Sequence, residues 1–116
     1  MTLRDIVVLP IPHPLAARTA TTQSERIEVG RFVELIALLN ITAVSGTSPT
    51  LDIKAQASDD GSDWYDFNPA SAFTQKTATG KDMLKLTNFG RFIRFIHTIA
   101  GTSPSFTFEL KLMAKT

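Results

Sequence analysis

The chain has 116 residues, 43% hydrophobic and 20% charged, with no cysteine and a formal net charge of +1. That length makes one domain, able to bury about two thirds of its unfolded surface, and the lack of cysteine excludes disulfides and thiolate metal sites. Twelve Lys and Arg interleaved with eleven Asp and Glu give no sustained field for phosphates or anionic lipid, which argues against nucleic-acid and membrane partners.

Residues 1–25 differ from the rest. A short apolar stretch leads into Leu9-Pro10-Ile11-Pro12-His13-Pro14, and Ala and Thr dominate from Ala16 to Ser24. Alternating proline removes backbone donors and pushes the preceding residues into extended conformations, so this segment reads as an extended N-terminal arm. Its large aliphatics Ile6, Val7, Val8, Leu9 and Ile11 are too many for a solvated tail, and the arm must lie against its own domain or a neighbour. The run Ile6-Val7-Val8-Leu9 is far shorter than the roughly 20 residues that cross a bilayer. Asp5 before it and prolines after it spoil a signal-peptide pattern, so the expectation is a soluble, unexported chain.

Residues 26–116 read as one β-domain. Over 31–44 the odd positions Val33, Leu35, Ala37, Leu39, Ile41 and Ala43 make an apolar face, while Phe32, Ile36, Leu38 and Val44 load the other. A helix is compatible with the leucines, but Asn40-Ile41-Thr42-Ala43-Val44 before a Gly-Pro turn favours a strand. The phrase Gly46-Thr47-Ser48-Pro49 then returns as Gly101-Thr102-Ser103-Pro104. After each copy the chain alternates, through Leu51, Ile53, Ala55 and Ala57 in one case and Phe106, Phe108, Leu110 and Leu112 in the other. Positive φ at Gly and a proline opening each following strand predict two matching β-hairpins. Between the copies, Ser58-Asp59-Asp60-Gly61 predicts another hairpin, with Gly61 left-handed. Residues 70–82 read as a polar loop anchored by Phe73, Met83-Leu84-Lys85-Leu86 as the start of a strand, and 91–99 as a strand apolar on both faces.

Little here speaks for chemistry. Asp59, Asp60, Asp63 and Asp66 concentrate acid, but their order does not fit a calcium loop, and a solvated β-turn is the simpler reading. His13 sits in the arm and His97 on a strand without an obvious carboxylate partner. No Gly-x-Ser-x-Gly elbow, phosphate loop or metal spacing occurs. The expectation is therefore no catalytic residue, no cofactor and no metal. Arg91 and Arg94 flank Phe92 and Phe95, yet alternation puts Phe92 with Arg94 and Ile93 with Phe95, which favours core Phe and ion-paired Arg over base stacking. Trp64 and Tyr65 point to opposite faces, one toward the core and one partly exposed, where an aromatic could stack on a sugar.

The segments 46–54, 58–61, 64–65 and 89–94, with the second Gly-Thr-Ser-Pro, resemble small structural proteins of tailed bacteriophages. Within that group a short chain with an extended arm and a compact β-sandwich is similar to capsid decoration, or cement, proteins, which commonly form trimers on the assembled shell. A second resemblance, to discoidin-like jelly rolls, rests on the Ser-Asp-Gly-x-x-Trp-like hairpin at 58–64 and the Arg-aromatic-aliphatic-Arg strand at 91–94. It implies architecture more than sugar binding.

Together these readings predict an all-β protein: an antiparallel β-sandwich of jelly-roll type over residues 26–116, preceded by the arm. The resemblance implies a structural virion protein on the capsid surface, made in the host cytoplasm, with capsid protein as partner. Strands apolar on both faces call for burial between copies, a homotrimer being favoured. The arm residues Ile6, Val7, Val8, Leu9 and Ile11 are the candidate partner-binding set, and deleting residues 1–14 is expected to weaken attachment while leaving the fold. The alternatives are a carbohydrate-binding module of a tail or receptor-binding assembly, and a tail or neck component.

Overall fold

The computed structural model describes residues 6–116. They form strands β1 (Ile6–Val8), β2 (His13–Arg18), β3 (Thr22–Gln23), β4 (Ile27–Glu28), β5 (Glu34–Ser58), β6 (Tyr65–Asp66), β7 (Gly80–Leu86) and β8 (Phe92–Lys115), with no helix among them. All strand pairs are antiparallel, so the all-β expectation holds.

Two strands of unusual length make the frame. β5 has 25 residues and β8 has 24, and they pair with each other from Glu34↔Lys115 to Ser58↔Phe92. The two Gly-Thr-Ser-Pro phrases lie opposite one another in the middle of this ladder, with Thr47 facing Thr102. This corrects the two-hairpin expectation: neither phrase reverses the chain. Each is a bulge inside a continuous strand, marked by register shifts and by positive φ at Gly46 (106°), Ser48 (49°), Gly101 (125°) and Ser103 (47°). The two backbones press together there. A Cβ on Gly46 would stand 2.6 Å from the Ser103 carbonyl oxygen, and one on Gly101 would stand 2.9 Å from that of Ser48.

The bulges fold the ribbon in two. His97 and Phe108 are both on β8, and eleven residues of straight strand span about 36 Å; their ring centroids are 5.5 Å apart. The result is one hydrogen-bonded sheet arranged as two layers whose inner faces share a core. The first layer contributes Leu35, Ala37, Leu39, Ile41, Phe106, Phe108, Leu110 and Leu112, and the second Leu51, Ile53, Ala55, Ile93, Phe95 and Ile99. Phe73 is buried as expected, and Gly61 is left-handed (φ 80°) in the β5–β6 hairpin.

The arm docks on its own chain. β1 and β2 pair with the C-terminal half of β8, and β3 and β4 pair with its N-terminal half. Leu9, Ser24 and Val29 add backbone bonds to Leu112, Phe95 and Arg91. Residues 6–28 therefore line β8 almost from end to end, and the chain passes position 25 without changing neighbour. β1, Leu9 and His13 complete one edge of the first layer, so residues 6–14 supply ladder and core contacts to their own domain.

Candidate functional site

In a strand, residues two apart share a face, so the ladder registers give the outer face of the first layer row by row. Ile6, Lys115 and Glu34 form one row; Val8, Met113, Ile36 and Lys85 the next; Leu38, Lys111 and Met83 a third; Asn40, Glu109 and Lys81 a fourth. The apolar members make a contiguous patch across four strands. Val8 is 73% exposed, Met83 64% and Ile6 62%, while Ile36, Leu38 and Met113 are half-buried beside them. Charges of both signs rim it, including Lys111–Glu109 (3.4 Å) and Lys115–Glu34 (3.7 Å). Val33, just before β5, is also exposed, its amide bound to the Lys115 carbonyl. Of the chain's second apolar face over 31–44, Ile36 and Leu38 belong to this surface, whereas Phe32 is buried and Val44 packs against the core.

The outer face of the second layer is built differently. Trp64, Arg94, Gln56, Asp66 and Lys54 form a continuous polar chain. Arg94 lies over the Trp64 ring at 4.5 Å, its Nε donates to Gln56 Oε1 at 2.9 Å, Gln56 Nε2 donates to Asp66 at 2.9 Å, and Lys54 Nζ donates to the same carboxylate at 3.1 Å. The amide of Gln56 and then the Lys54 ammonium hold the Asp66 carboxyl below its usual value. Phe92 completes this face with Arg26 and Arg91 over its ring.

Between the layers lies a pair that sequence spacing did not reveal. His13 on β2 and His97 on β8 are both buried, with His13 Nε2 3.3 Å from His97 Nδ1 and the rings edge-on to Phe108. His97 Nε2 must donate to the Ala20 carbonyl at 3.1 Å, which leaves Nδ1 to accept from His13 Nε2–H. Burial, the neighbouring imidazole and Arg18 push His13 down to about 3 from its ordinary 6.5, and burial lowers His97 too. Both are neutral imidazoles that pin the arm between the layers. Arg18 is occupied in turn, lying over the Phe108 ring and donating to the carbonyls of Phe108, Ala16 and Pro14. Residues 84 apart carry no local signal of such a pairing.

The five candidate arm residues separate into two sets. Leu9 is in the core and Val7 packs against it, while Ile6, Val8 and Ile11 are on the surface. Asp60 is a turn former: its carboxylate accepts from the amides of Ser62 and Asp63 at 2.8 and 2.9 Å, and the Asp63 and Ser62 bonds lower its pKa. Ile93 and Phe95 share the buried face and half-exposed Phe92 and Arg94 the other, as alternation predicted; Arg91 pairs loosely with Glu28 (3.8 Å), but Phe92 is not in the core and Arg94 is held by Gln56 and Trp64, not by an ion pair. Neither Trp64 nor Tyr65 is a core residue, contrary to expectation; Phe67 takes that place and Tyr65 stands 64% exposed. β6 holds only Tyr65 and Asp66, both exposed, and Trp64 before it is half-exposed beneath Arg94.

The architecture defines a class: an all-β antiparallel protein whose two long strands fold together at opposed bulges. No protein family's sequence profile matches the chain, and no curated protein matches it. Among solved structures it is similar to the SPBc2 prophage-derived protein YomS, with a TM-score of 0.58 over 100% of this chain and 97% of that one, at 17% identity. At that identity the likeness shows the fold.

Proposed function

We propose that the chain is a structural protein of a tailed-phage virion: a capsid decoration protein that assembles as a closed ring of copies, a trimer being favoured, and stabilises the shell by contact, without catalysis. The observation that carries this reading is the apolar outer face of the first layer. A contiguous patch of Ile6, Val8, Ile36, Leu38, Met83 and Met113 exceeds the scattered apolar residues of an ordinary monomer surface and suits an interface. Its rim bears both Lys and Glu, which a second copy can complement, and closed symmetric rings are the common solution for such self-contacts. In this reading Ile11, exposed beyond the patch, faces the capsid. The fold shared with a prophage-derived protein agrees with a phage origin. The finer architecture we propose is a jelly-roll sandwich, made by folding the β5–β8 ribbon on itself.

Sedimentation of the purified chain with empty capsids and, separately, with isolated tails tests the proposal. Saturable binding to capsids at three copies per site is expected. Binding to tails alone would move the protein to a tail or neck position, and a chain indifferent to both would overturn the virion reading.

A further inference from the structure

A groove of about 360 Å³ lies beside β6, lined by Ala57, Tyr65, Phe67, Asn68, Ser71, Thr87 and Asn88 among others. Its volume falls within the range of small-ligand sites. Two features mark it. Tyr65 is 64% exposed at this groove with no ring partner among the described residues, although a tyrosine ring is a large apolar surface that normally packs. In addition, Asn68, Ser71, Thr87, Asn88 and the Tyr65 hydroxyl make no side-chain hydrogen bond within the described residues, whereas Lys54, Gln56, Asp66 and Arg94 alongside are bonded to one another. A concave site offering one bare aromatic face and several unspent amide and hydroxyl groups matches a polyol: C–H faces for stacking, hydroxyls for both donors and acceptors.

Charge narrows the class. No Lys or Arg lines the groove, and its acid, Asp66, is already bound by Lys54 and Gln56. A phosphate, a sulfate or a sialic acid would find no cation there. We infer that this groove binds a neutral saccharide, stacked on Tyr65 and hydrogen-bonded by Asn68, Ser71, Thr87 and Asn88. The inference does not rest on the assembly reading, because the groove shares no lining residue with the apolar patch.

The test is an array of neutral and sialylated glycans probed with the labelled full chain, with hits titrated by ligand-observed NMR. Wild type is expected to retain neutral glycans. Tyr65→Ala should weaken the titrated hit at least tenfold, Tyr65→Phe should largely keep it because stacking needs only the ring, and Thr87→Ala with Asn88→Ala should weaken it severalfold. Melting temperature and solution mass of every variant should match wild type, which separates this failure from failure of the assembly reading. A silent array, a preference for sialylated glycans, or binding that survives Tyr65→Ala would overturn the inference.

Discussion

The two layers share a frame and differ in what they show to the outside. Each has the same order, with an arm segment beside half of β8, half of β5 next, and a later segment at the far edge. Outside, the first layer presents Val8, Ile36, Leu38, Met83 and Met113, and the second presents the Trp64–Arg94–Gln56–Asp66–Lys54 chain. Internal pairing therefore does not require an apolar outer face, since the second layer folds without one. The apolar patch of the first layer is the feature on which the proposed self-assembly rests.

The comparison can be broken most severely at the arm. Removing residues 6–18 takes Leu9 and His13 from the core and strips β1 and β2 from β8, while the second layer keeps β3 and β4. Losses of this kind exceed the roughly 5–15 kcal/mol that a small domain has to spare only when a layer fails as a unit. We expect that failure, seen as a missing cooperative melt by circular dichroism.

Acid is the next largest. The folded chain holds His13 at about 3 and His97 below its ordinary value, so between pH 6.5 and 3 the unfolded chain binds protons that the folded one does not. Stability is complete above about 6.5 and falls as the pH drops toward 3. At about 1.4 kcal/mol per pH unit, the fall from 6.5 to about 3 makes the His13 contribution at most on the order of 5 kcal/mol. Urea melts across this range should show the slope, and His13→Phe should remove most of it.

The bulges should respond alike. Gly46→Ala and Gly101→Ala each add a Cβ within 3 Å of opposing backbone at positive φ, and a cost of about 2–3 kcal/mol apiece follows. Equal losses would confirm that the two bends act as one hinge point, and a large inequality would deny it. The smallest effect on stability belongs to the outer faces. Val8→Asp and Met83→Asp change exposed side chains, and monomer stability should move by about 0.5 kcal/mol or less while self-association is lost.

Much of the fold was legible because it is local. Alternation marked Leu51 to Ala57 and Phe106 to Leu112, turn chemistry marked Gly61, and a lone aromatic in a polar loop marked Phe73. The doubled Gly-Thr-Ser-Pro was misread for a physical reason. Positive φ and proline announce a bend, but the same residues serve a hairpin, where the partner strand is next in sequence, and a bulge, where it is some fifty residues away. One trace of the difference is present in β8, where buried positions are odd through Ile99 and even from Phe106, as a bulge requires. For the candidate surface, doubly apolar 31–44 signalled surplus but not which residues carry it. Val8 joins Met113, Ile36 and Met83 only through pairings between distant segments, as do His13 and His97.

Sedimentation velocity tests the central claim most directly, run on wild type, on the Val8→Asp, Met83→Asp double variant, and on Gln56→Ala from the second layer. Wild type and Gln56→Ala are predicted to sediment as a closed oligomer, a trimer being three times the 12.7 kDa chain, and the double variant as a folded monomer. A monomeric wild type, or a double variant that still assembles, would contradict the account.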